Sequence, residues 1–110
     1  MKVHHTFSKR DTRGALTFGS KAEARFFDEL RCRQAAGEVL YFHRQVPIEL
    51  GVDAKGKPVI YRVDYQVFFV DGTVSYIDVK GKTTPITREH DLKTRLVSSG
   101  YPFDVEIVRR

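Results

Sequence analysis

The stretch SYIDVKGKTT, residues 75–84, places an acid, one apolar residue and a lysine at the end of a β-forming run. Side chains alternate faces along a strand, so Asp78 and Lys80 share one face and Ile77 and Val79 take the other. The preceding run, VIYRVDYQVFFV (59–70), puts Asp64 on one face with Arg62, Gln66 and Phe68, and Tyr61, Val63, Tyr65 and Val67 on the opposite face. Whether the two aspartates meet depends on the connection between the runs. With a two-residue turn at Asp71-Gly72, Val70 faces Thr73, Asp78 pairs with Tyr65, and the acids lie on opposite faces. With a three-residue loop, Val70-Asp71-Gly72, Phe69 faces Thr73 and Asp64 stands opposite Asp78. That loop is a type I turn followed by a left-handed glycine in a G1 bulge, which VDG suits. The sequence permits both registers. In the second, two carboxylates repel each other unless a divalent cation lies between them. Mg²⁺ (or Mn²⁺) takes carboxylate oxygens together with water and phosphate. In the first, the acids sit at separate solvated edges. Lys80 is either an ordinary surface lysine or a group placed to orient a water attacking a phosphate and to stabilise the developing charge.

A third acid precedes these. Residues 20–37, SKAEARFFDELRCRQAAG, read as a helix with Ser20 as N-cap and Gly37 just past the end. Glu23 fits the N3 position of a capping box. Phe26, Phe27 and Leu30 follow it at i+3, i+4 and i+7, so Glu23 also points along the buried stripe, where a carboxylate needs a partner.

The elements that must carry these side chains follow from patterning. Residues 39–50 form a strand that Pro47 marks as an edge or bulged one. Residues 51–58 form a loop, 59–70 and 73–81 a hairpin, 86–100 a helix closed by Gly100, and 103–108 a last strand. The order α-β-β-β-α-β gives an α/β (α+β) domain, a mixed central sheet flanked by helices. One domain fills 1–110, with 1–18 a polar, poorly ordered arm that holds a short strand near 15–18.

Composition narrows the class. The chain has 110 residues, 41% apolar and 30% charged, which is ordinary for a globular domain. No apolar run approaches a membrane span, and the polar start MKVHHTFSKRDTRG has no signal-peptide core. The single Cys32 excludes an internal disulfide and a cysteine-rich zinc site, so a cytoplasmic, reducing location is expected. Net charge is +5, which favours a polyanionic partner. His4, His5, His43 and His90 are scattered without metal-ligand spacing. There is no Walker loop, no G-x-S-x-G and no Cys–His arrangement.

The acid on the first helix (SKAEARFF), the acid on a strand (YRVDYQVFF) and IDVKGK after a short hairpin resemble the PD-(D/E)XK nuclease superfamily. They are similar in particular to its small phage and prophage members with the pattern F-x-S-K-x-E … RQ … D … D-V-K-G. The resemblance spans roughly residues 15–108. It implies an αβββαβ restriction-endonuclease-like core and a phage or bacterial cytoplasmic setting. Asp64, Asp78 and the Val79 carbonyl would be metal ligands, Glu23 a further metal or water holder, and Lys80 the catalytic lysine. Val63 stands where the signature has proline. Gln45, in HRQVP, matches the RQ element, and it is equally readable as a sheet-edge amide.

Lys55, Lys57, Lys82, Arg88 and Lys93 are candidate phosphate contacts, and each alone is also an ordinary solvated cation. Lys93 stands out because the helix after D-x-K flanks the site in the fold resembled. The leading expectation is a Mg²⁺-dependent endonuclease acting on DNA, with no small-molecule cofactor. The alternatives are a Holliday-junction resolvase, which needs a homodimer, and a non-catalytic nucleic-acid binder with the same fold.

Overall fold

The computed structural model describes residues 16–110. Helix α1 (Lys21–Ala35) leads into strands β1 (Val39–Val52), β2 (Pro58–Phe69) and β3 (Val74–Lys80), then helix α2 (Arg88–Gly100) and strand β4 (Val105–Arg109). The sheet order is β1-β2-β3-β4, antiparallel across the first two pairs and parallel between β3 and β4. This is the α-β-β-β-α-β mixed arrangement expected from the sequence, with Pro47 on an edge strand.

Two expectations need correction. Ala15 lies outside the described residues, and residues 16–18 form no strand; Leu16 and Phe18 instead pack against the core beside α1. Gly100 does not close α2 but is its last helical residue, with the Tyr101 N–H bonded to the Val97 carbonyl.

Local signals explain the limits of α1. The Ser20 hydroxyl accepts the Glu23 N–H at 3.1 Å. At the other end Gly37, at φ +84°, lets Glu38 and Gly37 donate back to Arg33 and Gln34, a Schellman closure. The buried face of α1 sets Phe26, Phe27 and Leu30 on Tyr65, Val67, Ile77 and Val79. Burial of each such side chain stabilises by about 1.5–3 kcal/mol. Truncation of the fully buried Leu30 to Ala would cost about 2–5 kcal/mol.

The β1–β2 ribbon serves both helices with one stripe. Phe42, Tyr65 and Val67 belong to the α1 cluster. Further along the same stripe, Val46, Ile48, Tyr61 and Val63 pack with Val97 of α2. The changeover falls where β2 leaves β3: the last ladder pair is Tyr65↔Ile77. Right-handed twist and coiling of a long ribbon make such a changeover possible.

Candidate active site

The hairpin adopts the three-residue loop. Phe69 and Thr73 close it, with the Phe69 N–H donating to the Thr73 carbonyl at 2.9 Å, and Gly72 has φ +93°. Pairs run from Phe68↔Val74 to Tyr65↔Ile77, so the register leads to Asp64 opposite Asp78. At that point the ladder opens. The Asp64 N–H donates to Asp78 Oδ1 and the Val79 N–H to Asp64 Oδ2, both at 2.9 Å. Each aspartate therefore satisfies the main chain of the opposing strand where backbone partners run out.

Glu23 is 8% exposed, and its carboxylate points into this opening from α1. The Gln45 amide nitrogen donates to Glu23 Oε2 at 3.2 Å and, more weakly, to Asp64 Oδ1 at 3.4 Å. The partial positive charge of an amide thus stands between two carboxylates. Gln45 falls between the pairs Arg44↔Tyr65 and Val46↔Val63, opposite Asp64, and it has φ +52°. A non-glycine residue held there costs about 1–3 kcal/mol, and such strain concentrates at functional sites. Gly19 makes room for the same acid: a Cβ at that position would lie 2.8 Å from Glu23 Oε1.

The electrostatics agree with the geometry. Burial first, and then the Asp64 charge, push the Glu23 carboxyl above its usual value; Arg44 and Lys80 oppose this in part. Burial also raises Asp64, against the hydrogen bonds from Val79 and Gln45 and the charge of Lys80. Lys80 therefore reaches both acids electrostatically, from the face that Asp78 shares.

Two residues that the sequence left aside join the site. Tyr61 donates its hydroxyl to Asp78 Oδ2. His90 Nε2 lies 2.6 Å from the same oxygen and 3.1 Å from the Tyr61 hydroxyl. Against a carboxylate oxygen the imidazole nitrogen is the donor. His90 Nδ1 is buried and has no hydrogen-bond partner among the described residues. His90 is thus not one of a scattered set: Thr87 caps its N–H in the first turn of α2, and the helix start aims it at Asp78. The pattern T-x-x-H opening a helix just after D-x-K was the available signal. Tyr61 sits on the strand face opposite Asp64, and only the coiling of β2 beyond the opening brings it to Asp78.

The candidate phosphate contacts scatter. Lys82 lines a pocket of about 450 Å³ with Arg25 and Arg110. Lys93 is paired with Glu89 at 3.2 Å, and Arg88 is exposed at the start of α2. Lys55 and Lys57 lie in the loop at the far end of β2, where their N–H groups bond Asp53. Six residues of strand, 58–63, separate that loop from Asp64, roughly 20 Å, so these two lysines lie apart from the acids.

Carboxylate oxygens suit a hard divalent cation. Glu23 and Asp64 supply such donors, raised in pKa by burial and sharing one amide; turned over, that amide would offer its oxygen instead. Among the described residues, however, no group of three or more His, Cys, Asp or Glu side chains is already placed to hold a metal ion. The donor types suit such an ion, and the Gln45 amide bonds two of them, Glu23 and Asp64.

The DUF1064 family, a protein of unknown function, matches residues 5–107, nearly the whole chain. The chain belongs to the DUF1064 family. No curated protein and no solved structure matches it. Among the described residues no helix is long and apolar enough to cross a membrane.

Proposed function

We propose that this protein is a divalent-cation-dependent endonuclease, of the PD-(D/E)XK type, that hydrolyses DNA phosphodiester bonds. The observation that carries the reading is the pair of acids, buried Glu23 and half-buried Asp64, both raised in pKa and bridged by the Gln45 amide beside Asp78 and Lys80. A cofactor ion of the Mg²⁺ class would supply Lewis-acid activation of water and neutralisation of the phosphate.

The remaining roles fall to the chain. Glu23, Asp64 and Asp78 would hold the ion, with the Val79 carbonyl as a further ligand. Gln45 keeps Glu23 and Asp64 in place. Tyr61 and His90 fix Asp78 through its Oδ2, which orients its remaining lone pairs. The Lys80 ammonium donates a proton or a hydrogen bond to the oxygen that gains charge.

The cross-strand bonds of Asp64 and Asp78 to main-chain N–H groups favour a second reading, in which the acids only close the sheet and the protein binds nucleic acid without cutting it. One assay separates the two. Plasmid, linear duplex and four-way-junction DNA are incubated with Mg²⁺, with Mn²⁺ or with EDTA. Cleavage with either metal that EDTA stops and Asp64→Asn removes supports the enzyme. Salt-sensitive binding without cleavage under any metal supports the binder. Preference for the junction would select the resolvase, and a dimer in solution would accompany it.

A further inference from the structure

On the sheet face that carries Asp64 and Asp78, the next rows of side chains are aromatic. Strand pairing sets Tyr41 beside Phe68 beside Val74, then His43 beside Gln66 beside Tyr76. The third row is Gln45, Asp64 and Asp78. The Tyr41 and Phe68 rings stack at 4.5 Å and 22°, and His43 meets both edge-on. Gln66 donates to the Tyr76 hydroxyl at 3.0 Å, which ties the second row together. Tyr41 and Val74 on this face are 47% and 41% exposed. A bulge at Leu40 is the reason: the register shifts between Val39 and Tyr41, so Val39 and Phe42 both turn inward and Tyr41 turns out.

We infer that Tyr41 and Phe68, flanked by His43, form a base-stacking platform for an unpaired nucleic-acid strand that runs from these rings to the acid site. This rests on the nuclease reading for what happens at the acids but not for the binding itself. Rows two residues apart on a strand are separated by about 6.8 Å, which places the platform about 14 Å from the acid row. A strand whose phosphate lies at Asp64 and Lys80 would therefore carry its neighbouring bases over the rings. Stacking on exposed aromatics is tolerant of base identity and requires bases free of a duplex. The occupant is a polyanion rather than an apolar protein face, because the platform continues without a break into the site and the chain carries a charge of +5. Within the proposed function, the substrate is a DNA bearing a single-stranded segment, such as a flap, a gap or an opened branch.

The test is fluorescence anisotropy in EDTA with a labelled oligothymidylate and with a duplex of equal length, on the full chain. Tyr41→Ala should weaken oligothymidylate binding about ten-fold, as loss of one stacked base does. Tyr41→Phe should keep wild-type affinity, and duplex binding should change little in both variants. Tyr41 is half exposed, so the variant should fold, which its melting curve verifies; Phe68→Leu gives a second, independent removal of a ring. Equal affinity of wild type and Tyr41→Ala for oligothymidylate, or no binding of it at all, overturns the platform. So does a concentration-dependent dimer that Tyr41→Ala breaks while oligothymidylate binding stays the same; the rings then serve a second copy of the chain. Failure of the nuclease reading looks different: no DNA is cut with any metal, while the Tyr41-dependent binding remains.

Discussion

Glu23 and Glu29 lie six residues apart on the same helix and meet opposite fates. Glu29 is clasped by the Arg110 guanidinium, Nε to Oε1 at 2.8 Å and Nη2 to Oε2 at 2.9 Å. That pair of bonds holds its carboxyl below the usual range. Glu23 is more deeply buried, faces two aspartates and receives only an amide from Gln45, so its carboxyl is pushed up. The fold supplies a cation where an acid ties the end of β4 to α1. Where Glu23 meets two aspartates, it sets no cation in direct contact with the Glu23 carboxylate, and Arg44 and Lys80 offset the rise only in part. Unpaired buried charge is costly and persists where something outside the chain completes it.

The largest effect expected from breaking this contrast is on the acid side. Asp78→Ala removes the acceptor for the Asp64 N–H, Tyr61 and His90 together. It should abolish DNA cleavage and metal binding and lower stability by about 2–3 kcal/mol. Lys80→Ala should lower cleavage about 10³-fold while leaving metal binding nearly intact. Calorimetry with Mn²⁺ beside a nuclease assay reads both variants. Equal loss of metal by both would show that Lys80 is not acting on the water or the phosphate.

Next comes the response to cation. A divalent ion that binds only the folded protein raises stability by about 2.7 kcal/mol at a concentration 100 times its Kd. Melting curves with Ca²⁺ or Mg²⁺ should rise for the wild type and much less for Asp64→Asn. A shift that persists in Asp64→Asn would place the ion elsewhere.

The two glutamates should also give pH dependences of opposite sign. The folded-state pKa of Glu23 is raised above its ordinary 4.5, so the folded form binds its proton more tightly than the unfolded form does. Its contribution favours folding at low pH and is lost as pH climbs from 4.5 through the raised value. Glu23→Gln should therefore stabilise the protein at neutral pH, with the gain shrinking as pH falls. Glu29 is lowered from 4.5, so its contribution is present at neutral pH and lost as pH falls below that value. The Glu29–Arg110 pair is about one-third exposed, so Glu29→Gln should cost no more than about 1 kcal/mol at pH 7 and still less at pH 3. Urea titrations of both variants at several pH values measure this. Like signs for the two would remove the contrast.

The smallest change sharpens the picture. Gly19→Ala would set a methyl against Glu23 Oε1. Because that oxygen ends a flexible side chain, stability should change by less than about 0.5 kcal/mol. Metal affinity should nevertheless fall, as the carboxylate is turned away. Unchanged affinity would mean that Glu23 is no ligand.

Much of this was legible before any coordinates. The VDG stretch permits a three-residue loop, with glycine as its left-handed residue, but it equally permits a two-residue Asp71-Gly72 turn; the structure decides for the register that sets Asp64 against Asp78. Alternation then places Lys80 beside Asp78, and the stripe Glu23-Phe26-Phe27-Leu30 turns Glu23 inward. Turn geometry and side-chain periodicity act over a few residues, so a sequence can encode them directly. Other features could not be read that way. His90 reaches Asp78 only because α2 starts beside the end of β3, and Tyr61 reaches it only because β2 coils away from β3 after Tyr65. The left-handed Gln45 and the bulge at Leu40, which turns Tyr41 outward against plain alternation from Val39, arise where a long edge strand must follow its twisted partner. Lys55 and Lys57 looked equivalent to Lys82 as cations, and only the length of β2 carried them away from the acids. These outcomes depend on where strands part and how a helix docks between them. Those are properties of the assembled sheet rather than of any short stretch of chain.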